Sequence, residues 1–162
     1  MAQSSWTRPT VATLLTGVGP IKHGVHRAEH SLGADLRLLP ERLGDFGYAT
    51  AGFTANGNVQ EKFGFDRGFD EFWFHNRATA EQLVELALGW LDGVRAEDPD
   101  RPFFAMIVSI EPHDGYEPAE PFRARFADGI DDAEIGTVEF VKQPRLKQRA
   151  STRPGGATAA AL

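Results

Sequence analysis

A hydroxyl, a guanidinium and a proline stand together at Thr7-Arg8-Pro9, just ahead of the apolar run Val11 to Leu15 and the pair Thr16-Gly17. Proline is pre-set for the first position of a helix. The spacing therefore predicts a helix from about Pro9 to Leu15, with unpaired first-turn amides pointing back toward Thr7. A nucleophile held there meets an anionic substrate at the positive end of a helix dipole, which suits attack on a sulfate or phosphate ester. On the local pattern alone the plainer reading is a helix whose N-cap is Thr7, a place Thr fills well. His113 is the second candidate. It follows the apolar run Phe103 to Ile110, in a turn with Pro112, Asp114, Gly115 and Tyr116, where a loop side chain can reach a ligand. An imidazole there can donate a hydrogen bond to an ester oxygen, or simply bond a nearby carbonyl.

The elements that must position these residues read, in order, as helix, loop, helix, strand, loop, helix, strand, loop. Pro40 opens the second helix, with Leu39, Leu43 and Phe46 on one face, and Gly47 ends it. Tyr48 to Thr54 reads as a short buried strand. Thr79-Ala80-Glu81-Gln82 is a capping-box signature for a third helix, whose buried face carries Leu83, Ala87, Trp90, Leu91 and Val94. Phe103 to Ile110, bounded by Pro102 and Pro112, fits an interior parallel strand. Strands alternating with helices predict a parallel sheet covered on both faces. Ligands of such sheets collect beyond the carboxyl ends of the strands, which puts Asn56 and His113 on one rim. In Phe63 to Phe72, the phenylalanines 63, 65, 69 and 72 are expected to pack while Asp66 and Asp70 close turns. His26, His30 and His75 show no ligand spacing.

At 162 residues the chain is long enough for one domain with a core, and 41% hydrophobic content with 12 Phe and 3 Trp is globular. A net charge of -6 argues against nucleic-acid binding through phosphates. No Cys is present, which excludes disulfides and thiolate metal sites. No apolar run approaches the ~20 residues of a membrane span. No signal peptide is visible, and a truncated N-terminus would hide one, so localisation stays open. Oligomeric state is likewise open.

Thr7 to Gly17, with Gly19-Pro20-Ile21-Lys22-His23-Gly24-Val25 after it, resembles the nucleophile segment of the sulfatase family, in the alkaline phosphatase superfamily. That segment usually reads Cys (or Ser)-x-Pro-x-Arg, then an apolar helix and Thr-Gly. Three further blocks are similar and follow in the family's order: Leu39 to Thr50, Phe63 to Phe72, and Pro102 to Pro118. The resemblance covers roughly residues 4 to 126 and rests on all four blocks together. It implies an α/β fold, part of an alkaline-phosphatase-like three-layer sandwich with a mainly parallel sheet flanked by helices. It also implies a partial catalytic domain over 1–127, followed by a divergent, disordered tail over 128–162.

By the same resemblance Thr7 takes the nucleophile position, Arg8 and His113 contact the ester oxygens, and His23 lies near the nucleophile, although Lys22-His23-Gly24 reads equally as a solvated turn. The family Arg, four residues after the nucleophile, is replaced by Val11. Pairing Ser4 with Arg8 would restore it, but puts Trp6 where Pro belongs. The family's Gly-Lys-x-His is absent after Thr50, which leaves Asn56 or Asn58 to supply a substrate contact. Sulfatases oxidise Cys or Ser to formylglycine. Thr would give a ketone, so the resemblance here leans toward the phosphodiesterase branch, with an unmodified Thr forming a covalent ester that water hydrolyses.

The implied cofactor is a divalent metal, Ca²⁺ for a sulfatase, Zn²⁺ or Mn²⁺ for a phosphodiesterase-like member. Its ligands are largely missing: no carboxylate precedes Thr7, and Asp131-Asp132 is the sole adjacent acidic pair after His113. Thr7 itself is the one possible metal ligand. The expectation is thus a fragment of a longer hydrolase of small-molecule or glycan sulfate or phosphate esters. The alternative is a non-catalytic remnant or partner-binding piece. Gln143 to Arg153 is basic and 155–162 is low-complexity, which reads as a solvated tail.

Overall fold

In the computed structural model, residues 3–111 are described, together with 113 and 125. The chain divides into one unit from Met1 to Glu111 and a second from Pro112 to Leu162. The expected boundary at 127–128 and the basic tail lie outside the described residues. Among the described residues no helix is long and apolar enough to cross a membrane.

The first unit is built around β1 (Ala49–Thr54), every residue of which is buried. It pairs in parallel with β2 (Glu71–Phe74) on one side and β3 (Phe103–Val108) on the other. Side chains alternate across a strand, so β1 feeds two cores at once. Ala51 and Phe53 face α4 (Ala80–Glu97), where they pack with Leu83, Ala87 and Ala78. The opposite face meets a second cluster of Val11, Ala12, Leu15, Val25, Leu38 and Phe65, with Phe72, Met106 and Val108 against it. That cluster draws on α1 (Thr7–Thr16) and the segments leading through α2 (Pro20–His23) to α3 (Leu39–Asp45). The result is the expected three-layer α/β arrangement, with two strands of one parallel sheet and the Thr79-capped helix packed on a face.

The capping box forms as the sequence predicts. Thr79 Oγ1 accepts from the Gln82 amide at 3.2 Å, and Gln82 Oε1 accepts from the Thr79 amide at 3.0 Å. Within α4, Leu83, Ala87 and Val94 are buried while Trp90 and Leu91 are half-buried.

Four expectations are corrected. The helix α1 begins at Thr7 with Trp6 as its N-cap, so Pro9 is the third helical residue rather than the first, and Thr7 is not a cap. Phe46 is 80% exposed and leaves the face shared by Leu39 and Leu43, because the helix has already ended at Asp45. Among the described residues the strand β3 has a partner on one side only, in the order β2-β1-β3, and Phe103 and Ile107 are 39% and 43% exposed. Its apolar run reports burial capacity that the described residues fill on one face only. Asp70 does not merely close a turn: its carboxylate accepts from the Thr50 amide at 3.0 Å, and its own amide donates to Thr50 Oγ1 at 2.9 Å. This clip registers β2 on β1, a strand absent from the sequence reading because Glu71 to Phe74 is too short to show alternation.

Candidate active site

Thr7 stands at the first position of α1, half-buried, with no side-chain cap on the helix and no acidic residue in its first turn. Among the described residues its hydroxyl has no hydrogen-bond partner. Helix geometry leaves the Thr7 and Arg8 amides without an intrahelical acceptor, and Pro9 has no N–H to satisfy. Thr10 turns its hydroxyl back to the Trp6 carbonyl at 2.9 Å, closing the turn from the other side. Free amides, a dipole end and a free hydroxyl thus coincide, an arrangement that favours an oxyanion.

Arg8 ties this helix end to the carboxyl end of β1. It is only 3% exposed. Its Nε donates to the Asn58 carbonyl and one terminal nitrogen to Asn58 Oδ1, both at 3.3 Å. The other terminal nitrogen donates to the carbonyls of Ala28 and His30. The guanidinium lies 3.4 Å from the Phe63 ring centroid, with Trp6 on it at 5.7 Å. Burial pushes its pKa down and the Glu29 carboxylate opposes that, but an Arg remains charged. Asn58 in turn donates its amide to Asn56 Oδ1 at 2.9 Å, and Asn56 is buried. The chain Asn56–Asn58–Arg8 therefore brings the rim after β1 to the start of α1. Of Arg8's five N–H groups, four are committed to these internal acceptors, so the residue expected to contact ester oxygens is foremost a clamp.

Replacing Arg8 by Lys is expected to cost about 2–4 kcal/mol. One ammonium cannot reach both sides of the clamp, and each buried acceptor left without a donor costs roughly 1–3 kcal/mol. Urea unfolding followed by circular dichroism checks this, and a loss under about 0.5 kcal/mol would refute the clamp.

His23 is 4% exposed rather than in a solvated turn. Its Nδ1 accepts from the Val25 amide at 3.0 Å, so Nε2 carries the proton and donates to Thr13 Oγ1 at 3.1 Å. Nε2 fastens α2 to α1 through Thr13, Nδ1 closes the local turn to Val25, and neither nitrogen is left for a ligand. Burial, then the nearby His26, pushes its pKa below the usual 6.5. The stability tied to the neutral ring is complete above about pH 6.5 and falls as pH drops from there through the depressed folded value. The thermal midpoint should decline on acidification through that window, and His23→Gln should flatten the decline. An unchanged slope in the variant would assign the acid sensitivity elsewhere.

His113 is exposed and belongs to the second unit, which begins at Pro112. The sequence reading missed Trp6 and Phe63 as parts of the site, and offered Asn58 only as an alternative to Asn56 for a substrate contact. The Asn-Gly-Asn spacing after a strand, a signature of side-chain turns, was the signal for Asn58. No group of three or more His, Asp or Glu among the described residues can hold a metal ion.

The family model for sulfatases matches residues 1–152, nearly the whole chain. The chain belongs to the sulfatase family. Two solved structures share its fold. BT4656, solved with its substrate D-glucosamine-2-N,6-O-disulfate, superposes with a TM-score of 0.63 at 19% identity, over 80% of this chain and 30% of that one. The phosphonate monoester hydrolase of Agrobacterium radiobacter gives a TM-score of 0.54 at 18% identity, over 76% of this chain and 35% of that one. This sulfatase-family chain thus spans about a third of the length of the solved structures it matches. Comparison with the curated proteins finds no match.

Proposed function

We propose that this chain is the nucleophile-bearing part of a hydrolase of sulfate or phosphate esters, with Thr7 as the attacking hydroxyl. The observation that carries the reading is the Thr7 hydroxyl, without a partner among the described residues, at the uncapped start of α1 and beside an Arg held by Asn58. The Thr7 oxygen forms a bond to sulfur or phosphorus as the alcohol leaves, and water then hydrolyses the covalent ester. The first-turn amides stabilise the oxyanion charge. Arg8 adds its positive field and fixes the helix end, while Asn56 and His23 position the clamp and the helix. His113 is the candidate contact for the leaving-group oxygen.

The described residues do not fit a divalent metal. Thr7 offers a neutral hydroxyl, Asn56 Oδ1 already accepts from Asn58, and no carboxylate joins them, whereas hard cations require several oxygen ligands. An ion at this site, Ca²⁺ or a Zn²⁺ or Mn²⁺ equivalent, has to draw its ligands from outside the described residues. The second reading, a non-catalytic remnant, is favoured by one observation: most of the Arg8 donors face inward acceptors.

Vanadate, a tetrahedral oxyanion, tests the site without turnover. It should shift the amide resonances of Thr7 and Arg8 saturably, and Thr7→Val should weaken the effect. Shifts confined to other residues would refute an oxyanion site at α1.

A further inference from the structure

A second concave site lies on the other face of the sheet, between β2 and the N-terminal half of α4. It is an open groove of about 690 Å³, well within the range of small-molecule sites. One wall is a strand row with Glu71 and Trp73 on the same side, two residues apart. The other is a helical stripe that presents Glu85, Gly89 and Trp90 at i, i+4 and i+5. Phe53 forms the floor, in edge-to-face contact with Trp90 at 6.3 Å between ring centroids. The groove is open at Gly89, where a built Cβ meets nothing within 4 Å.

The chemistry of the walls selects a ligand class. The indoles of Trp73 and Trp90 line the groove, and His75 stacks on Trp73 at 5.8 Å between ring centroids. Neither Glu71 nor Glu85 has an ion-pair partner among the described residues, and no Lys or Arg lines the groove. Aromatic faces flanked by unpaired carboxylates attract a cation through both the ring quadrupole and the charge, and repel the anions that suit the start of α1. We propose that this groove binds a small organic cation of the ammonium type, with Trp73 and Trp90 as the stacking surfaces and Glu71 and Glu85 as the counter-charges. The site is separate from the Thr7 site and independent of the reading given for it.

Tetramethylammonium is the direct probe, with tert-butanol as a neutral molecule of similar size and shape. The full chain is titrated while the indole N–H resonances of Trp73, Trp90 and Trp6 are followed. Saturable shifts of Trp73 and Trp90, but not of Trp6, are expected with the cation. Gly89→Leu should abolish them, since its side chain enters open space in the groove and leaves α4 intact by circular dichroism. Glu71→Gln with Glu85→Gln should weaken binding by roughly two- to fivefold or more at low salt. Equal binding of tert-butanol, shifts that survive Gly89→Leu, or no saturation below about 50 mM would overturn the proposal.

Discussion

The chain of 162 residues, purified as it stands, is expected to show no measurable turnover of aryl sulfate, phosphate monoester or phosphodiester, with or without added Ca²⁺, Mg²⁺, Mn²⁺ or Zn²⁺. Attack by a Thr hydroxyl requires its proton to leave and the developing charge on the ester to be neutralised. Metals commonly do both, and the described residues assemble no set of ligands for one. The first-turn amides of α1 remain, but loss of a single oxyanion contact commonly costs ~10²–10³ in rate, and a missing general base costs a further ~10²–10⁴. A metal-dependent rate that disappears in Thr7→Ala would show that ligands for the ion are present within this chain. It would thereby overturn the incomplete-site reading while confirming Thr7 as the nucleophile. A rate that survives Thr7→Ala would remove Thr7 from the chemistry.

Substitution of Gly68 by Ala is expected to be the most destabilising single-methyl change in the described unit, at about 2–5 kcal/mol. Gly68 has φ +79°, where an L side chain adds roughly 1–2 kcal/mol of strain. Its new Cβ would also sit 2.7 Å from the Glu41 Cα, so α3 must shift, and such overpacking costs a further ~1–3 kcal/mol. The displacement would reach the sheet, because the Gly68 carbonyl accepts from Thr50 Oγ1 at 2.9 Å within the clip that registers β2 on β1. Against a typical total stability of about 5–15 kcal/mol, that is a large fraction of what holds the fold. Gly89→Ala is the internal control. It meets open space on a helix and should stabilise by about 1 kcal/mol. Urea midpoints of the two variants that fall on the same side of the parent would refute the assignment of cost to the Gly68 contact.

The sequence alone determined those features that depend on residues close in the chain. The capping box at Thr79 and Gln82, the stripe of Leu83, Ala87 and Val94, and the alternation of strands and helices are local patterns with their own physical cause, and each is present. The four family blocks likewise carried the family and the three-layer fold. What the tertiary structure decided is where long-range partners fall. Arg8 and Asn58 are fifty positions apart, and nothing local says that four N–H groups of one guanidinium will be taken up by the carbonyls of Asn58, Ala28 and His30 and by the Asn58 carboxamide. His23 looks like a surface turn residue until α1 packs on α2 and Thr13 takes its Nε2, the local Val25 amide having taken Nδ1. The exposure of β3 and the groove at Gly89 have the same origin. A sequence specifies how much apolar surface an element can bury, but only the packed neighbours decide which of that surface is covered.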